Sequence, residues 1–193
     1  MATRRSTGRS RPLATSSATE AGVWETLVAE AGAESLLWEE SLRPTSEQDR
    51  TPVFSRLCEP VYALGVETIY EGYLLHYGQP RLFSPADADT ALLLGDYLYA
   101  HGLVRVAATG SIGAVHDLAE LISLCAQAQA DSRAGEFEAW AATAALLGKG
   151  SLSRPRAALR DHGDATALAE VAQITVGVEV IERARCAHTL LVG

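Results

Sequence analysis

The chain has little of what marks the common functional classes. It contains three cysteines, Cys58, Cys125 and Cys186, with no CxxC pair among them. An odd number at wide spacing closes no disulfide framework, which points to buried, reduced thiols and a cytoplasmic protein. Aromatic residues make up 6% of the chain, and strand-like alternation is rare. No apolar run reaches the about 18–20 residues of a membrane span. Positive charge is scarce as well. Sixteen Lys and Arg face 24 Asp and Glu, for a net charge of −8. Nucleic acid and anionic membrane both call for a cationic surface, so neither is an expected partner. No HExxH or comparable metal spacing joins His101, His116, His162 and His188, and Gly110-Ser111-Ile112-Gly113 lacks the flanks of a P-loop or nucleophile elbow.

Ala- and Leu-rich segments are what the chain does have. Its 193 residues are 48% hydrophobic, enough for one domain with a sizeable core and biased toward helix. Residues 1–19 carry Arg4, Arg5, Arg9 and Arg11 and no acid. They have almost nothing to bury and read as a disordered tail, either a solvated leader or a tether for an acidic partner. The domain spans 20–193. Val23, Leu27, Ala31 and Trp38 share the apolar stripe of a first helix, from about Glu20 to Trp38. A second helix runs from about Pro52 to Leu75, kinked or divided at Pro60, and Gly78-Gln79-Pro80 turns the chain. Ser84 caps a third helix, with Pro85 at its first position and Asp87 and Asp89 facing its dipole. A fourth extends from about Ile112 to Asp131, and a fifth carries Phe137, Trp140 and Leu147 until Lys149-Gly150-Ser151. A short helix follows from Pro155 to Asp161, and a final long helix is capped by Asp164. His116-Asp117 reads as capping chemistry. Short breaks between helices predict an all-α, single-domain antiparallel bundle.

One segment is more specific. Leu92-Leu93-Leu94-Gly95-Asp96-Tyr97-Leu98-Tyr99-Ala100 closely resembles a helix of the trans-polyprenyl diphosphate synthases. Gly78-Gln79-Pro80 precedes it with similar order and spacing. Ala142-Thr143-Ala144-Ala145-Leu146-Leu147 resembles the family's Lys-Thr-Ala-x-Leu stretch, and Ala172-Gln173-Ile174 resembles its Phe-Gln-Ile. The resemblance covers roughly Val61 to Arg185 and implies an isoprenoid-synthase-like fold. Full-length members are considerably longer, which implies a truncated version with elements missing at both ends.

The departures from that pattern bear on chemistry. Synthases of this family hold Mg²⁺ between two aspartate-rich motifs, and the metal binds the diphosphate. At the place of the first motif stand Glu67 and Glu71, four apart on one helix face. They are either a reduced acidic cluster and the metal ligands, or ordinary surface or helix-dipole carboxylates. The second motif is reduced to Glu179, and the family's phosphate-binding Lys is Ala142. His76 stands where an Arg would bind phosphate. It is either a donor when protonated or a structural His. By resemblance, His76, Arg81, Asp96, Tyr97 and Gln173 are the candidate substrate-binding residues; Asp96 alternatively bonds a neighbouring helix. The implied function is that of a non-catalytic small subunit, resembling component 1 of heptaprenyl-type synthases. Such a subunit has no cofactor of its own, and Mg²⁺ comes through a catalytic partner. Two alternatives stand beside it. One is a stand-alone Mg²⁺-dependent synthase, the other a non-enzymatic helical binder of an apolar ligand or a protein; a prenyl diphosphate or an apolar ligand is the expected small-molecule partner.

Overall fold

The computed structural model describes residues 16–150 and 152–193. Among them the chain is all helix and turn, and it forms one bundle. Its helices are α1 (Ser16–Glu34), α2 (Leu36–Glu40), α3 (Ala63–Tyr77), α4 (Ala88–Ala107), α5 (Ile112–Ala130), α6 (Glu136–Ala145), α7 (Ser153–His162), α8 (Thr166–Val176) and α9 (Val178–Val192). Strand pairing in the described residues is limited to an isolated antiparallel bridge between Leu42 and Phe83. No described helix is long and apolar enough to cross a membrane.

Several boundaries differ from the sequence reading. Residues 1–15 of the expected tail lie outside the described residues, but residues 16–19 already belong to α1. The first helix stops at Glu34, because Ser35 takes an extended backbone and its Oγ accepts the Leu37 amide at 3.2 Å, starting α2. The stretch from Pro52 to Tyr62 is not helix but two short 3₁₀ turns, Ser55–Leu57 and Pro60–Tyr62. Two of its amides are taken by a side chain of α3 instead, as described below. Asp87 rather than Ser84 caps α4, accepting the Thr90 amide at 2.7 Å. The Ser84 amide donates to the Ser41 carbonyl, a long-range bond that local sequence does not show. The final helix is broken at Gly177, whose φ of +89° ends α8 and redirects the chain into α9. Ser151, expected in the turn after the fifth helix, lies outside the described residues.

The seam between α3 and α4 rests on glycine. Gly65 and Gly72 on α3, and Gly95 and Gly102 on α4, are each seven residues apart, two turns of helix. The pairs meet in antiparallel order: a Cβ on Gly72 would lie 2.9 Å from the Gly95 carbonyl oxygen, and one on Gly102 3.0 Å from that of Gly65. At Gly72 the nearest atom is backbone, which cannot yield as a flexible side chain can. Gly72→Ala should therefore lower stability by about 1–3 kcal/mol in urea unfolding, although Ala is the better helix former by about 1 kcal/mol. Gly22→Ala, with nothing within 4 Å, is the control and should be neutral or stabilising. Equal effects at the two positions would remove the close-packing account of the seam.

Two apolar clusters hold the bundle. The larger joins α3, α5, α6, α8 and α9 around Ile69, Tyr70, Leu121, Trp140, Leu168 and Ile181. The smaller seats α1 on α3 and α4 through Trp24, Leu27, Leu82, Phe83, Leu94 and Leu98. Of the thiols expected in the core, Cys125 is buried, Cys58 is partly buried and Cys186 is exposed. Burial and the nearby Glu67 push the Cys58 thiol up to about 12, which makes it inert. Asp117 is not a cap either. It is buried, it accepts from Arg156 Nη1 at 2.9 Å and from the Gly148 amide at 3.0 Å, and it ties α5 to α7 and to the turn after α6.

Candidate functional site

Glu67 and Glu71 do come together, one turn apart on α3, and both are fully buried. The cation between them is the guanidinium of Arg81, delivered by the turn after Gly78. Arg81 Nη1 lies 2.9 Å from Glu67 Oε2, and its Nε lies 3.0 Å from Glu71 Oε2. Four backbone amides complete the carboxylates' coordination. Val53 and Ser55 each donate to Glu67 Oε1 at 3.1 Å, and Arg81 and Leu82 donate to Glu71 Oε1 at 2.7 and 2.8 Å. Arg81 Nη1 also donates to the Thr51 carbonyl at 2.9 Å. The guanidinium lies between the rings of Trp24 and Tyr70, 4.8 and 4.9 Å from their centroids. Desolvation opposes its charge, but Glu67 and Glu71 outweigh that and hold it above the usual arginine range.

This arrangement disagrees with both readings of the acid pair. The carboxylates are not on the surface. Nor do they fit a divalent cation, because their oxygens are committed to a guanidinium and four amides inside a closed core. Among the described residues no group of three or more His, Cys, Asp or Glu could hold a metal ion. Arg81, expected at a substrate, is 2% exposed and faces its two carboxylates. The triad acts as a clasp: it fixes the loop at 51–55 and the turn at 81–82 against α3. Sequence reasoning missed it because the distance from Glu71 to Arg81 becomes a contact only when the chain folds back after α3.

The other candidates lie apart from the clasp. His76 packs over Gly95, where a Cβ would collide with its imidazole. It stacks on Tyr99 with ring centroids 5.1 Å apart, and its Nε2 lies 3.3 Å from Asp96 Oδ1. Asp96 thus stands beside His76 of the neighbouring helix without a hydrogen bond to it, and its side chain stays 66% exposed. Tyr97 stacks on His101 and packs against Trp38 of α2, so it sits on the side of α4 that faces α1 and α2. Tyr97 and Tyr99 occupy different sides of α4, and each is partly covered. Gln173 is partly buried on α8, and Glu179 is exposed in the first turn of α9. The structure brings His76 and Asp96 together. It does not bring them to Gln173 or to Glu67 and Glu71 in one site.

The space between α3, α6 and α9 is filled by rings. Phe54 stacks on Trp140 at 5.1 Å, and Tyr70 meets Trp140 edge-on at 5.2 Å. His188 of α9 packs against Phe54, Tyr70 and Phe137, and its Nδ1 lies 2.9 Å from the Tyr70 hydroxyl. Desolvation drives the His188 imidazole down to about 4. At the edge of this cluster Glu136 accepts from the Tyr73 hydroxyl at 3.0 Å and from Gln129 Nε2 at 2.8 Å, and burial raises its carboxyl above the usual range. Nothing in the local sequence marks Glu136, because its partners come from α3 and α5.

The fold and the site together define an all-α bundle clasped by a buried Glu–Arg–Glu triad around an aromatic centre. Compared with protein-family models, curated proteins and solved structures, the chain has no match in any of the three.

Proposed function

We propose that this chain is a non-catalytic subunit of a hetero-oligomeric polyprenyl diphosphate synthase, with an isoprenoid-synthase-like fold. The observation that carries the reading is the use of Glu67 and Glu71 to hold Arg81. A chain whose segments resemble the synthases in order, but whose acid pair is occupied internally, has no free carboxylate clamp for Mg²⁺ among its described residues. No step of prenyl transfer is therefore assigned to this chain. The aromatic centre adds support. With Tyr70, Trp140 and His188 in ring contact, a prenyl chain has no course through the middle of the bundle. The subunit acts through surfaces shared with its partner and helps set product length there.

The test is an assay of the isolated chain, and of the chain mixed with each synthase from the same cell that carries both aspartate motifs. Negligible prenyl transfer by the chain on its own, with activity or a changed product length on mixing, is the expected result. Mg²⁺-dependent turnover by the isolated chain, lost in the Glu67→Gln, Glu71→Gln double variant, would favour a stand-alone synthase. Binding to none of the synthases would sink the subunit reading.

A further inference from the structure

His188 of α9 is enclosed by aromatic side chains. Its imidazole centroid lies 5.6 Å from that of Phe54, 5.9 Å from Tyr70, 5.5 Å from Phe137 and 6.2 Å from Tyr73. The four ring planes meet the imidazole at 63°, 33°, 49° and 27° in the same order, so they surround it from several directions. A cation within about 6 Å of an aromatic centroid is drawn to the negative face of the ring. Two of these rings already hold one. Arg185 Cζ lies 4.1 Å from the Phe137 centroid, and Arg81 Cζ lies 4.9 Å from that of Tyr70. Each guanidinium is paired with two carboxylates, Arg81 with Glu67 and Glu71, and Arg185 with Glu138 and Glu182. A further carboxylate, Glu136, accepts from the Tyr73 hydroxyl through Oε2, while its buried Oε1 has no hydrogen-bond partner among the described residues. Acids therefore outnumber cations around the rings, and the enclosure favours a positive guest.

We propose that Phe54, Tyr70, Tyr73 and Phe137 form a binding cage for a quaternary ammonium group, and that His188 is an internal plug, displaced by the ligand as α9 swings out about Gly177. An imidazole and a trimethylammonium head are of similar size, but their needs differ. A protonated imidazole or primary amine must bury N–H donors, and the Tyr70 hydroxyl that meets His188 can satisfy one of them. A quaternary ammonium has no N–H to satisfy, and it spreads its charge over methyl groups that pack on ring faces. The plug can leave because α9 is lightly held. Of its 15 residues, Ile181, Ala184 and His188 are buried, all on one stripe. Its polar ties to other elements include the Arg185–Glu138 pair at 2.9 Å and the Gln79 amide, which donates to the Leu191 carbonyl at 2.7 Å. At its start Gly177 has a φ of +89°, with nothing within 4 Å of the place a Cβ would take. A hinge at that residue turns without collision.

This inference stands apart from the subunit reading, because it is tested without any synthase. Calorimetric titration of the full chain with choline should show saturable binding in the millimolar range. Amide hydrogen exchange in α9 should quicken when choline is bound. The neutral isostere of choline, with carbon in place of nitrogen, and the primary amine ethanolamine should each bind more weakly by about 10-fold or more. His188→Ala removes the plug and should strengthen choline binding by about 10-fold or more. Phe137→Leu keeps an apolar side chain but loses a ring face. It should weaken choline by about 5-fold and leave the isostere unchanged, and it carries the test if His188→Ala does not fold. Phosphatidylcholine vesicles that compete with choline would assign the guest to a lipid headgroup, and indifference to them would assign a soluble compound. Absence of choline binding by the parent chain overturns the proposal, even if His188→Ala binds, because the plug then never leaves. Equal affinities for choline and its isostere, or choline binding unchanged in Phe137→Leu, overturn it as well.

Discussion

Replacing Arg81 by Met should lower the unfolding free energy by about 3–5 kcal/mol, the cost of leaving buried carboxylates without their cation. Both carboxylates and the guanidinium have no side-chain exposure, so water cannot take over the role of Arg81. The amides of Val53, Ser55, Arg81 and Leu82 stabilise the carboxylates but do not neutralise them. Chevron or equilibrium urea curves would measure the loss. A triple variant, Arg81→Met with Glu67→Gln and Glu71→Gln, should recover at least half of it. Each glutamine keeps one carbonyl oxygen for the amides and adds no charge. A cost below about 1 kcal/mol for Arg81→Met would mean that the clasp is solvated and the two acids are open to other ligands. That result would also reopen the metal-binding reading of Glu67 and Glu71.

The second large effect depends on pH. In the unfolded chain the His188 imidazole takes up its proton near pH 6.5. In the fold, burial delays that to about 4. Above pH 6.5 neither state is protonated, and His188 makes stability no more and no less sensitive to pH. Between 6.5 and about 4 the unfolded state binds the proton and the folded state does not, so acidification favours unfolding. From pH 7 to pH 4 the fold should lose about 3 kcal/mol on account of this one residue. Glu138 and Arg185 both influence the imidazole, in opposite directions, and other groups titrate in the same range. The measurement is therefore the difference from His188→Gln, which keeps a hydrogen-bond acceptor for the Tyr70 hydroxyl. The parent chain should lose stability more steeply than the variant over this window. Parallel curves would show that His188 is protonated in the fold at an ordinary pH.

Much of the architecture was legible from periodicity and breakers. The stripe of Val115, Leu118, Leu121, Ile122 and Cys125 predicts the packed side of α5; Leu118, Leu121 and Cys125 are buried, and Val115 and Ile122 are partly buried. Phe137 and Trp140 supply the bulk of α6, whereas Leu147, expected in the same helix, is buried in the turn beyond its end at Ala145. Gly163 ends α7 with a φ of +70°, the left-handed conformation that glycine adopts without steric cost. The glycine spacing carries a further signal, whose meaning only the packing shows. Two pairs of equal spacing, Gly65 with Gly72 and Gly95 with Gly102, mark two helices that meet backbone to backbone. Two of the misplaced boundaries share one cause. Ser84 and the stretch 53–55 spend their amides on Ser41 and Glu67, groups remote in sequence, so local capping rules had no purchase on them.

What this sequence determined by itself is the helical class, the breaks between helices, and a spacing that sets Glu67 and Glu71 on one face. Those properties follow from local sterics and from the 3.6-residue turn, and they need no knowledge of what lies across the bundle. What the acids do was decided by the tertiary structure alone. A pair of carboxylates four residues apart can clamp a metal, face water or grip a guanidinium, and the choice depends on which cation the chain delivers and how much water remains. Here the turn after α3 delivers Arg81 into a closed core between Trp24 and Tyr70. In that low dielectric the charges settle on one another.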